Sequence, residues 1–206
     1  MSTNISASVV KDLRARTGAG IMDCKEALKN CNGNLDEAID FLRKKGIAKA
    51  EKKAGRQAEQ GTVLSYIHPG NRIGVLVEVN CETDFVAKTD DFLNLARNIA
   101  MQIAATNPMS LDRDSIDQTK LEKEKEILLE QAKSSGKPES ILDKIVDGRI
   151  EKYFQENCLL EQPYIKDADK SVQDILTESI ATLGENISIA RFARFEVGDN
   201  SNLNNS

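Results

Sequence analysis

The sequence predicts an α+β fold, a small antiparallel sheet of about three strands packed by helices behind a three-helix module. Three observations predict it. Two alternating apolar runs, Thr62 to Ile67 and Arg72 to Val79, flank His68-Pro69-Gly70-Asn71, a hairpin signal. Residues 5–54 carry helical apolar spacing broken by Gly and Asn turns. A late helical pattern (Val172, Ile175, Leu176, Ile180, Leu183) runs through Gly184-Glu185-Asn186 into a last strand, Ile187 to Val197.

The N-terminal module reads as three short helices. Val9, Val10 and Leu13 mark the first, with Ser6 or Ser8 as N-cap. Thr17-Gly18-Ala19-Gly20 suits a tight turn. Cys24, Ala27, Leu28 and Cys31 mark the second, closed by Asn32-Gly33. Asn34 opens the third, with Glu37 at capping-box spacing and Leu35, Ala38, Ile39 and Leu42 as its apolar face. Residues 43–56 hold seven bases and one acid, so the rest of the chain carries −11. A solvated helical linker and a basic contact with an acidic partner or RNA both fit this run.

After the hairpin, Thr89-Asp90-Asp91 caps a helix faced by Phe92, Leu95, Ala96, Ile99 and Ile103, which Asn107-Pro108 ends. Residues 118–161 read as a helical hairpin turning at Ser134-Ser135-Gly136-Lys137-Pro138. Leu121, Leu128 and Ala132 form a thin stripe on its first helix; Leu142, Val146, Ile150 and Tyr153 form one on its second. The expected organisation is a module at 1–54, a core at 55–198 (sheet 61–80 and 187–197, hairpin 118–161) and a polar, disordered tail at 199–206.

Composition narrows the function. The chain has 206 residues and a net charge of −5, which argues against binding nucleic acid through a basic face. No apolar run approaches the ~20 residues of a membrane span. Met1-Ser2-Thr3-Asn4 lacks the features of a secretory signal. Cys24, Cys31, Cys81 and Cys158 form no CxxC pair, and His68 is the sole histidine, so no metal set has usable spacing. The cysteines fit small apolar residues of a reducing compartment, and His68 fits a solvated turn residue. No Walker A or GxGxxG pattern occurs, so no catalytic constellation emerges and no cofactor is expected. One device remains, Thr83-Asp84-Phe85-Val86, a polar strand end carrying a large aromatic. Two readings fit Phe85: packing under the sheet, or entering a partner's pocket as a hot spot.

Four segments settle the direction. Val10 to Leu28, Gly74 to Lys88, Gly136-Lys137-Pro138 with Gly148-Arg149-Ile150, and Ile187 to Gly198 together resemble the elongation factor Ts family. The resemblance spans nearly the whole chain. It implies a ubiquitin-associated-like N-terminal module and a guanine-nucleotide exchange factor without covalent chemistry, acting on GDP-bound and nucleotide-free elongation factor Tu during protein synthesis. By the same resemblance, Arg14, Ile21 and Met22 grip the GTPase's nucleotide domain; Ile21 stands where methionine is common. Thr83, Asp84, Phe85 and Val86 match the element that inserts near its Mg²⁺ site. Longer members repeat the core. This chain resembles the short form, which implies a homodimer, with Phe192 and Phe195 on the last strand as a dimer element. No role falls to His68. The expected location is the cytoplasm of a bacterial-type cell or an organelle matrix, with no membrane or direct nucleic-acid contact. Two other classes fit parts of the chain: an adaptor binding peptides or RNA through residues 1–56, and a redox protein using Cys24 and Cys31.

Overall fold

A computed structural model describes residues 5–134, 138 and 141–199. Residues 1–4, the expected turn at 135–137 with its family-signature Gly136-Lys137, and the tail 200–206 lie outside the described residues. The fold is α+β. In chain order it contains α1 (Ala7–Thr17), α2 (Ile21–Asn30), α3 (Leu35–Glu51), β1 (Gln60–Ile67), β2 (Ile73–Cys81), α4 (Asp84–Ala87), α5 (Asp90–Thr106), α6 (Gln118–Ser134), α7 (Leu142–Asn157), β3 (Pro163–Tyr164), β4 (Asp167–Ser171), α8 (Val172–Leu183) and β5 (Ile187–Glu196). The three-stranded antiparallel sheet has the order β1-β2-β5. The central β2 buries Val75, Val77, Val79 and Cys81 on one face, as alternation requires.

The chain divides into two compact units. The first comprises residues 1–62, 79–96 and 174–190. Its helices start and stop on local signals. Ser6 caps α1 by accepting from the Val9 amide, and Gly18 ends it at φ 65°. Asn34 caps α3: its Oδ1 accepts from the Asp36 and Glu37 amides while its Nδ2 donates to Glu37. This is the expected capping box, closed by the Asn side chain instead of its backbone. Leu13, Cys24, Ala27, Leu28, Ala38 and Leu42 form the buried cluster, with Cys31 half-buried beside it. The spacing of Cys24 and Cys31 is therefore core packing; all four cysteines are free thiols.

The basic run is more than a solvated linker. Residues 43–51 continue α3, and a Cβ placed on Gly46 would lie 3.4 Å from Ala181 Cβ on α8. Arg43 faces Asp174 at 3.8 Å, and Lys53 donates to the Gly184 carbonyl. Lys45 and Lys49 bind Asp23 at 2.9 and 2.8 Å, and Lys45 also reaches Glu26 at 2.6 Å. Lys49, then Lys45, holds the Asp23 carboxyl below the usual range. A depressed folded pKa stabilises above the unfolded value of about 3.9 and is lost as pH falls through the folded one. Asp23→Asn should cost about 0.5–1 kcal/mol at neutral pH, a surface-network magnitude. In parallel urea titrations the gap from the native protein should close as acid protonates Asp23.

The second unit comprises residues 63–78, 97–173 and 191–206. It contains a two-stranded sheet, β3-β4, that the sequence reading did not anticipate. Its residues, Pro163-Tyr164 and Asp167-Ala168-Asp169-Lys170-Ser171, are too polar and too short to carry an alternating signal. Fully buried Gln102 on α5 supplies the missing cause. It donates to the Pro163 carbonyl (3.1 Å) and to Gln162 (3.2 Å), and accepts from the Ile165 amide (2.8 Å). A buried amide with every bond satisfied fixes the ribbon where hydrophobicity cannot.

The helical hairpin α6–α7 forms, around a cluster of Ile116, Leu121, Ile150, Phe154 and Cys158. Phe154 is the buried aromatic, and the expected Tyr153 packs half-buried against the cluster with Leu128 and Val146. Arg113 covers the Phe154 ring: its guanidinium lies 4.4 Å from the ring centroid and binds Glu151 through two bonds of 2.9 and 2.7 Å. Among the described residues, no helix is long and apolar enough to cross a membrane.

Candidate partner-binding site

The Thr83–Val86 segment does not end a strand. After Cys81 the chain makes one extended step and then a single helical turn, α4. Thr83, with φ −128° and ψ 154°, is its N-cap, and its Oγ1 accepts from the Val86 amide at 3.4 Å. Thr89 closes the other side by donating to the Val86 carbonyl at 2.8 Å, and then caps α5 by accepting from the Phe92 amide. Asp84 pairs with Lys88 at 2.7 Å across the turn, and this lysine holds its carboxyl below the usual range.

Phe85 is thereby turned outward. It is 80% exposed, the most exposed of the large apolar residues in the described chain. The expectation that it packs under the sheet is overturned: helical geometry puts Phe85 on the side of the turn opposite half-buried Val86 and Ala87. Phe92, seven residues on, is the phenylalanine that is fully buried.

Two carboxylates that sequence reasoning did not single out brace the turn. Glu185 accepts from the Thr83 amide at 3.0 Å and from Thr83 Oγ1 at 2.6 Å. Glu82 accepts from the Asn186 amide at 2.6 Å, and this bond, with Arg56 beside it, lowers the Glu82 pKa. Asn186 Nδ2 in turn donates to the Arg56 carbonyl at 2.7 Å. The two loops thus exchange carboxylates. Cys81 Sγ donates to the Thr83 carbonyl at 3.1 Å; burial, then the Glu185 charge, pushes its thiol pKa up. The only sequence hint of this brace was an acid inside the turn Gly184-Glu185-Asn186.

The second group of expected contact residues lies in the same compact unit. Ile21 and Met22 open α2 and are 56% and 75% exposed; Arg14, on α1, is exposed too. Two adjacent apolar residues in the first turn of a helix have no core function at that exposure. His68 is an exposed turn residue whose Nδ1 lies 3.1 Å from the Tyr66 hydroxyl.

Comparison with known proteins places nearly the whole chain in one family. The family model described as "Elongation factor TS" matches residues 3–199. An elongation factor Ts of Syntrophomonas wolfei is 63% identical over 195 residues, covering 95% of this chain and 91% of its own length. That of Thermoanaerobacter sp. strain X514 is 62% identical over 195 residues, covering 95% and 96%. The match over nearly the whole chain identifies a translation elongation factor. The chain belongs to the elongation factor Ts family.

Proposed function

We propose that this protein promotes nucleotide exchange on elongation factor Tu, binding its GDP form, disturbing its Mg²⁺ site and releasing GDP without covalent chemistry. The observation that carries the reading is Phe85, exposed on a turn whose flanking residues are tied down. An aromatic that presents most of its surface to solvent from a braced turn is shaped to enter a pocket. Bound GDP depends on a Mg²⁺ ion that tolerates little departure from octahedral geometry. A wedge that moves a metal-positioning element slightly therefore weakens nucleotide binding strongly. Nucleotide and exchange factor then weaken one another's binding by the same factor. Arg14, Ile21 and Met22 supply a second contact, which holds the factor while Phe85 acts. Asp84, paired to Lys88, keeps the turn closed and presents charge beside the ring. Such a cycle belongs to the cytoplasm, where translation proceeds, and requires no nucleic-acid contact by this chain.

The test is release of a fluorescent GDP from purified elongation factor Tu at fixed Mg²⁺, with and without this protein. Acceleration supports the reading. Unchanged release by folded protein overturns it and brings the adaptor reading of residues 1–56 forward.

We infer further that two copies act together. Val63 and Ile67 on β1, Leu76 on β2 and Phe195 on β5 are all exposed, with Phe195 at 62%. A sheet with this much apolar surface on its open side favours an isologous pair, each copy covering the other. Phe195→Glu should convert the dimer to a monomer in light scattering. A native protein that is already monomeric, or a dimer indifferent to the change, overturns this assignment.

A further inference from the structure

We propose that Glu185 is a positioning residue for exchange, acting through Thr83 to preset the orientation of Phe85. The inference rests on the exchange reading and adds a residue to it. All of its parts lie in the first unit.

By itself α4 is weak. One helical turn of four residues lacks the length to hold itself together, because nucleation fixes several residues for a single bond. Its conformation must come from outside. Thr83 is where it enters, and every polar atom of Thr83 is engaged. Its amide and hydroxyl both donate to Glu185, at 3.0 and 2.6 Å. Its carbonyl accepts from Cys81 Sγ at 3.1 Å and from the Ala87 amide at 3.2 Å. The hydroxyl, with its proton committed to Glu185, offers its lone pair to the Val86 amide at 3.4 Å.

Glu185 therefore sets the direction of the Thr83 hydroxyl, and the hydroxyl sets the cap. Bonds to an ionised acceptor are the strong ones, and the two here share one carboxylate. The carboxylate comes from a residue distant in sequence, so it ties α4 to the loop between α8 and β5. Glu82 makes the return bond to Asn186 at 2.6 Å, so each loop holds the other. A wedge held this way meets its pocket already ordered, and binding energy is not consumed in ordering it. Removing Glu185 leaves Phe85 present and exposed but free to swing.

The experiment compares Glu185→Ala, Glu185→Gln and Thr83→Val with the native protein in the GDP-release assay, over a range of factor concentrations. Loss of positioning acts on the release step within the complex. Glu185→Ala should lower the maximal release rate about tenfold, the effect of 1.4 kcal/mol on a barrier, and move the half-saturating concentration much less. Glu185→Gln spans the same distance and keeps one accepting oxygen, so it should stay within about threefold of native. Thr83→Val keeps the shape without the hydroxyl and should reproduce the alanine result. In the Phe85→Ala background, Glu185→Ala should cost nothing more. Hydrogen exchange supplies a readout independent of activity: the Thr83 and Val86 amides should exchange faster in Glu185→Ala, with the Val77 amide unchanged.

A native maximal rate in Glu185→Ala, or a loss that adds fully to that of Phe85→Ala, overturns the proposal while the exchange reading stands. A native protein that leaves GDP release unchanged overturns the exchange reading itself.

Discussion

Phe85→Ala should abolish most of the acceleration of GDP release from elongation factor Tu while leaving the fold as stable as the native protein. The two halves of this result have different causes. At 80% exposure the ring contributes almost nothing to the core, and surface truncations of this kind fall within about 0.5 kcal/mol. In a pocket the same ring is an anchor whose truncation costs about 2 kcal/mol or more, a loss of roughly 30-fold or greater. Stability and activity should therefore separate. Urea unfolding curves of the variant should overlay those of the native protein, and stopped-flow release should fall towards the rate of the GTPase alone. Equal loss of both would return Phe85 to a packing role. Intact release would move the wedge to another residue.

Gly61→Ala should be the most destabilising small substitution in the sheet. Gly61, in β1, has φ +149°, a region that L side chains rarely adopt. A Cβ there would sit 2.2 Å from the Val79 carbonyl oxygen and 2.8 Å from Asn80 Cα. Both are backbone atoms of β2, so no side chain can turn aside, and the strand itself must shift. The expected cost is about 3 kcal/mol or more, at the upper end of what overpacking produces. Asn80 leads directly into the braced turn, so release activity should fall with stability. Gly148, inside α7, supplies the contrast: a Cβ there meets nothing within 4 Å. Gly148→Ala should stabilise by about 0.5–1 kcal/mol, because alanine is the better helix former. Denaturant titration of the two variants should move in opposite directions from the native midpoint.

Local signals carried much of the architecture. Ser6, Asn34 and Thr89 act as caps where their spacing placed them, and Asn32-Gly33 turns the chain with both residues at positive φ. Alternation found β1 and β2, because a half-buried sheet writes a period of two into its residues. The Thr-Asp-Phe-Val segment was legible as a candidate site by its pattern and by resemblance. Its meaning was not: Thr83 fits a cap in either reading, and a phenylalanine at a strand end packs inward as readily as it points out.

Tertiary structure decided those points through contacts between residues far apart in the chain. Glu185 is 102 positions from Thr83, and no periodicity joins them. Gln102 reaches Gln162 across 60 positions and holds a ribbon too polar to announce itself. Arg113 covers the ring of Phe154 on α7 from a loop far back in the chain. Arg43, Lys45 and Lys49 on α3 find acids on α8 and α2, partners that composition alone does not name. The sequence by itself determined most of the helices and the main sheet, because caps, turns and apolar periods act within a few residues. Only the folded chain decided what those elements present to a partner, because burial and hydrogen-bond satisfaction are settled by neighbours brought together in space.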